Sequence, residues 1–268
     1  MTIGLRGSIV LLTISLLDPG CEGQARNAVC ELPREPEHRR MQVAGGERGY
    51  WVIAGPDAVA PAATVFLWHG WGDNARSMMR ALDPERHWRE AVVVAAEGLP
   101  RRFPGLGPHE RDGWQIRAGE FGDRDLALFD SLVDELVERG CADRARLYST
   151  GFSNGGFFSH LLGCERAVLL AAIAPVGGGG PQAAGCDGAL PVHITHGTRD
   201  EVVPYEGARA SYRSWGSTSA CRELPAADPT GCVHGVACRE ELTFCSFAGG
   251  HRWPPGATSR IVEFLRRH

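Results

Sequence analysis

Short runs that are apolar nearly throughout alternate along this chain with segments whose apolar residues recur every three or four positions. The runs Tyr50–Ile53, Ala63–Trp68, Val92–Ala95, Arg146–Thr150, Ala171–Val176, Val192–His196 and Leu242–Phe247 predict strands. Several lack any polar alternation, as expected of parallel strands covered on both faces. The clearest helix runs from Asp125 to Arg139, where Leu126, Phe129, Leu132, Val133, Leu136 and Val137 make one stripe. Asp125 stands where it can cap the N-terminus, and Gly140 where a left-handed residue can end the helix. Further helices are expected after Ser153, around Tyr205–Trp215 and at Ser259–Arg266. Strand–helix alternation over the whole length predicts an α/β fold, a mostly parallel doubly wound sheet with helices on both faces. Leu99–Phe121, rich in Gly, Pro and Arg, has neither period and reads as a long loop.

Composition narrows the function. The 268 residues are 43% hydrophobic and 22% charged, enough for one sizeable core. A net charge of −4 gives no field that would draw nucleic acid, so none is expected as a partner. All 28 cationic side chains are arginine. Without lysine there is no Schiff base, no pyridoxal-phosphate anchor and no phosphate-loop or kinase lysine, and no cofactor is expected.

The N-terminus reads as an address. Arg6 precedes the apolar run Ile9–Leu17, far shorter than the roughly 20 residues that span a bilayer but suited to a secretory signal over residues 1–25. Gly23-Gln24-Ala25 has the form of a signal-peptidase site. Gly20-Cys21 resembles a lipoprotein junction that would lipidate Cys21, although Asp18 stands where that motif wants an aliphatic residue. Either reading leaves 26–268 as the catalytic domain, secreted and with no stable membrane span. It also leaves eight of the nine cysteines, enough for four bridges of open connectivity. A zinc site on Cys232, His234 and Cys238 is the alternative, but no tight cysteine pair supports it and no metal is expected.

Three predicted strand ends carry chemistry. Gly151-Phe152-Ser153-Asn154-Gly155-Gly156 lies between a strand and a helix, the setting of a nucleophile elbow. Gly151 and Gly155 are then small because strand and helix pass in contact. A serine hydroxyl needs a base and a group to orient that base. Asp200, just past Val192–His196, and His251, in the loop after Leu242–Phe247, supply them, with Glu201, Asp73 and Asp187 as competing acids. The order serine, acid, histidine is that of α/β-hydrolases. The loop His69-Gly70-Trp71-Gly72 would offer the Trp71 amide to an oxyanion, opposite the Asn154 amide. His69, His196 and His160 read as buried, structural residues. His193 and His196 should point to opposite faces of their strand. Trp114 and Trp253 are candidate substrate-binding surfaces.

Together His69-Gly70 with Ala75, the elbow, His196-Gly197-Thr198-Arg199-Asp200 with Val203-Pro204-Tyr205, and Gly250-His251-Arg252-Trp253-Pro254 resemble secreted α/β-hydrolases of the feruloyl esterase and polyhydroxybutyrate depolymerase group. The likeness runs from about Val52 to the C-terminus. It implies a serine esterase with Ser153 as nucleophile, His251 as base and Asp200 as orienting acid, acting on feruloyl or acetyl esters of polysaccharide or on short polyhydroxyalkanoates. A serine peptidase on the same fold and an inactive extracellular binding protein are the rival readings. The complete set of serine, acid, histidine and oxyanion amides speaks against the second.

Overall fold

A computed structural model of the chain describes Met1 and residues 30–44, 46–103, 108–181, 185–228 and 231–268. The expected signal segment after Met1, its cleavage sites and Cys21 lie outside the described residues. A nine-stranded sheet organises the rest. Its centre is six parallel strands in the order β4 (Val92–Ala96), β3 (Ala62–Trp68), β7 (Ala142–Phe152), β8 (Ala172–Val176), β9 (Val192–Gly197) and β11 (Leu242–Phe247). Antiparallel β2 (Gly46–Ala54) and β1 (Glu37–Val43) extend one side, and β10 (Cys232–His234) closes the other. A small hairpin of β5 (Leu99–Arg101) and β6 (Arg111–Gly113) stands apart from the main sheet.

The strands that are apolar throughout are buried throughout, because helices cover both faces. On one face pack α3 (Arg124–Glu138), α4 (Asn154–Glu165) and α5 (Tyr205–Thr218), against Phe66, Trp68, Val92, Val94 and Ile194. On the other pack α1 (Ala75–Leu82) and α6 (Ala257–Arg266), against Val65, Leu67, Val93 and Ala95. A short α2 (Pro84–His87) follows α1. The strand period of two therefore divides each strand between two cores. His193 meets Phe264 of α6 while His196 meets Tyr205 of α5, on opposite faces.

The α3 stripe is buried except for a half-exposed Val137, and Gly140 beyond it has φ +70°. The expected cap is a correction. Asp125 lies inside the first turn, fully buried, and pairs with the equally buried Arg48 at 3.0 Å. Gln115 caps the helix instead, its Oε1 accepting from the amides of Asp125 and Leu126.

Four disulfides join Cys30–Cys141, Cys164–Cys186, Cys221–Cys238 and Cys232–Cys245. Cys232 and Cys245 sit directly opposite each other on β10 and β11. With Cys232 and Cys238 each bonded to another cysteine, the zinc alternative has lost both thiolates. Among the described residues no helix is long and apolar enough to cross a membrane.

Candidate active site

The carboxyl ends of β7, β9 and β11 bring three distant side chains together. Ser153 follows β7 with φ 55° and ψ −118°, a strained backbone for a residue with a Cβ, costing on the order of 1–3 kcal/mol. The strain lifts its hydroxyl off the sheet. A side chain at Gly155 would run into the Trp68 carbonyl of β3, and one at Gly151 into the Gly155 carbonyl, so only glycine permits so close a crossing.

His251 Nε2 lies 2.7 Å from Ser153 Oγ, and His251 Nδ1 lies 2.7 Å from Asp200 Oδ2. An ionised carboxylate only accepts, so Nδ1 carries the proton and Nε2 presents a lone pair to the serine hydroxyl. The other carboxylate oxygen, Oδ1, accepts from the amides of Val202 (3.0 Å) and Val203 (2.8 Å). Asp200 is buried, whereas its rivals Glu201 and Asp73 are exposed. Phe152 lies against the His251 ring at 4.8 Å between centroids, filling the space behind the base.

The amides of Trp71 and Asn154 do not donate to any other described residue. Asn154 opens α4, so the positive end of the helix dipole reinforces its amide. His69 shapes the facing loop. Its Nδ1 donates to the Gly70 carbonyl at 2.7 Å, and its Nε2 accepts from the Gly98 amide at 3.0 Å. Burial lowers its proton affinity, which keeps it neutral and able to accept.

A cavity of about 170 Å³ opens beside Ser153 and Asn154, walled by Trp71, Phe103, Phe157, Val202 and Val203. A larger hollow near Cys30 and Arg39 holds no comparable pair of nucleophile and base. Another brings Ser259 within 3.4 Å of His87, but on exposed surface and without a carboxylate bonded to that imidazole among the described residues.

No protein-family model matches the chain. Feruloyl esterase C of Emericella nidulans is 27% identical over 231 residues, covering 80% of this chain and 79% of that one. Among solved structures, an acetyl xylan esterase from Aspergillus awamori superposes with a TM-score of 0.62 at 13% identity, over 87% of this chain and all of its own. The Bacillus cereus carboxylesterase gives 0.59 at 18% identity, over 82% and 94%. The chain has the α/β-hydrolase fold and is similar in sequence to feruloyl esterases.

The site of this esterase differs from the sequence reading at both tryptophans. Trp114 offers no substrate surface. It is fully buried, edge-on to Trp68 at 5.1 Å, with Nε1 donating to the His69 carbonyl at 2.9 Å. Trp253 is half-buried against the α6 core, donates to Thr258 Oγ1 at 3.1 Å and does not line the cavity. Trp71 contributes its indole as well as its amide. The ring is fixed by a 3.0 Å bond to the Arg101 carbonyl and by Phe103 at 5.9 Å. Sequence reasoning passed over Phe103 and Phe157. Phe157 lay within reach of a pattern argument, one helical turn after the nucleophile. Phe103 had no periodic signal, since what holds it is the Arg101 guanidinium stacked 3.9 Å from its ring.

Proposed function

We propose that this esterase is an exported serine hydrolase that cleaves aromatic acyl esters of the feruloyl type through an acyl-Ser153 intermediate. The hydrogen-bonded row Ser153–His251–Asp200 carries the reading. His251 Nε2 takes the hydroxyl proton as Ser153 Oγ bonds to the ester carbonyl carbon. Asp200 holds the imidazole in the productive tautomer and stabilises the imidazolium that forms. The amides of Trp71 and Asn154 receive the oxyanion, a contribution of about 3 kcal/mol per donor in such sites. The tetrahedral intermediate expels the alcohol, which takes the proton from His251. A water then repeats the sequence on the acyl-serine and releases the acid.

Three aromatic walls in a small cavity suit a flat phenolic acyl group better than a flexible hydroxyalkanoate. The names of the curated relatives agree with that choice. Four disulfides are typical of a chain that folds in an oxidising compartment, which supports export.

Ser153→Ala should fold normally, fail to label with a fluorophosphonate, and lose at least roughly a thousandfold in kcat on methyl ferulate. Retained turnover would place the nucleophile elsewhere. Hydrolysis of a hydroxybutyrate oligomer in preference to methyl ferulate would overturn the substrate assignment while leaving the mechanism.

A further inference from the structure

Behind Asp200 lies a second buried histidine that the proton transfer does not use. His196, at the end of β9, has no exposed surface. Its Nε2 lies 2.9 Å from the Val203 carbonyl and 3.3 Å from Asp200 Oδ2, the oxygen that also receives His251. A carbonyl can only accept, so Nε2 carries the proton. Nδ1 is then a buried lone pair that bonds no described residue. An orphaned buried acceptor is costly, and a residue kept in spite of it calls for an explanation.

The Val203 carbonyl supplies one. The turn 200–203 does two things at once. Its amides at Val202 and Val203 grip Asp200 Oδ1, and Val202 and Val203 wall the cavity beside Ser153. Among the described residues, the His196 N–H is the contact that ties the carbonyl of this turn back to the sheet. We infer that His196 is a positioning residue for the reaction, its one N–H holding the turn 200–203 so that Asp200 stays aligned on His251 and Val203 stays in the cavity wall. This rests on the assignment of Ser153, His251 and Asp200 above.

The same N–H lies 3.3 Å from Asp200 Oδ2, the oxygen bonded to His251, so the turn and the acid share one anchor. The groups facing this imidazole are Asp200 and His251 from their loops, His160 from α4 and Tyr205 from α5. Burial lowers the proton affinity of His196, so it stays neutral beside Asp200 and does not compete with His251 as a second cation. Only the direction of its N–H matters to the neighbours. An amide of similar reach can replace it.

The test is the pH dependence of kcat, with active sites counted by fluorophosphonate labelling. His196→Leu keeps bulk and removes the donor. Its kcat per labelled site should fall roughly tenfold. The KM for methyl ferulate should rise, and the acid limb should move to lower pH by about half a unit, because a displaced Asp200 holds the imidazolium less tightly. His196→Gln, whose amide reaches about as far as Nε2, should return kcat to within roughly threefold and the limb to its original place. If His196→Leu does not fold, His196→Asn replaces it, with an amide too short to reach the Val203 carbonyl. A donor-less or shortened variant with an unmoved acid limb overturns the inference, as does a glutamine variant as impaired as the leucine one. An inactive Ser153→Ala alongside such a result would confine the failure to His196. An active Ser153→Ala would remove the mechanism itself.

Discussion

At the scale of single residues, Trp114 belongs to the core and Phe103 to the cavity wall, although the two stand only eleven positions apart. Ser153 could be found because a strand, two small residues and a helix start sit in one short stretch. Asp200 and His251 each follow an apolar run directly. Trp114 was misplaced because the loop around it lacks a period. Its true partners, His69 and Asn154, lie 45 and 40 residues away, with Asn154 Oδ1 accepting from the Trp114 amide and Asn154 Nδ2 donating to its carbonyl. The contrast is testable with two substitutions. Trp114→Ala should cost about 3–5 kcal/mol in urea unfolding, as a buried aromatic lost from a core does. Phe103→Ala should leave stability nearly unchanged but raise KM for methyl ferulate roughly five- to tenfold. A stable Trp114→Ala protein with a raised KM would return that residue to the substrate surface.

At the scale of elements, the seven apolar strands and the helices α3 to α6 were legible because burial on both faces, or along one stripe, writes itself into the sequence. The edges were not. β1 is exposed on one face and only half-buried on the other, so Glu37, Arg39 and Arg40 take positions where a covered strand would be apolar. α1 has the correct stripe in Ala75, Met78, Met79 and Leu82 and a cap in Asn74, whose side chain accepts from the Ser77 amide at 3.1 Å, but it is only eight residues long. The disulfides fasten these weakly specified parts. Cys30–Cys141 closes a separation of 111 residues and ties the chain before β1 to the start of β7, whereas Cys232–Cys245 closes only 13. Loop entropy then predicts a loss of about 4–5 kcal/mol for Cys30→Ser with Cys141→Ser, and about 3 kcal/mol for Cys232→Ser with Cys245→Ser. Thermal unfolding of the two double variants compares them directly. An equal loss would show that loop length does not govern their contribution.

At the scale of the whole molecule, the buried histidines set the acid limit of the fold. Burial pushes His160 and His193 down to about 3, with the cations Arg260 and Arg267 adding to the effect at His193. Both are therefore neutral when folded but protonate near 6.5 when unfolded. A depressed folded value means that the unfolded chain binds the extra protons, so stability is complete above about pH 6.5 and declines as pH falls from there toward 3. Each histidine contributes up to about 1.4 kcal/mol per unit to that decline. His193 bonds no described residue through either ring nitrogen and packs on Phe264. His193→Phe should flatten the fall of unfolding free energy between pH 6.5 and 4.5 without loss at pH 7, and an unchanged slope would assign the acid sensitivity to other groups.

The cavity also has boundaries of two kinds, and they differ in their freedom to change. Val202 and Val203 belong to the turn that grips the acid, so altering them to admit a different ester disturbs the chemistry together with the fit. The Phe103 side chain and the Trp71 indole grip neither Asp200 nor His251, although the Trp71 backbone must keep its place to offer its amide to the oxyanion. Selection or design for a new substrate therefore has its room on that flank, while the opposite flank is mortgaged to turnover.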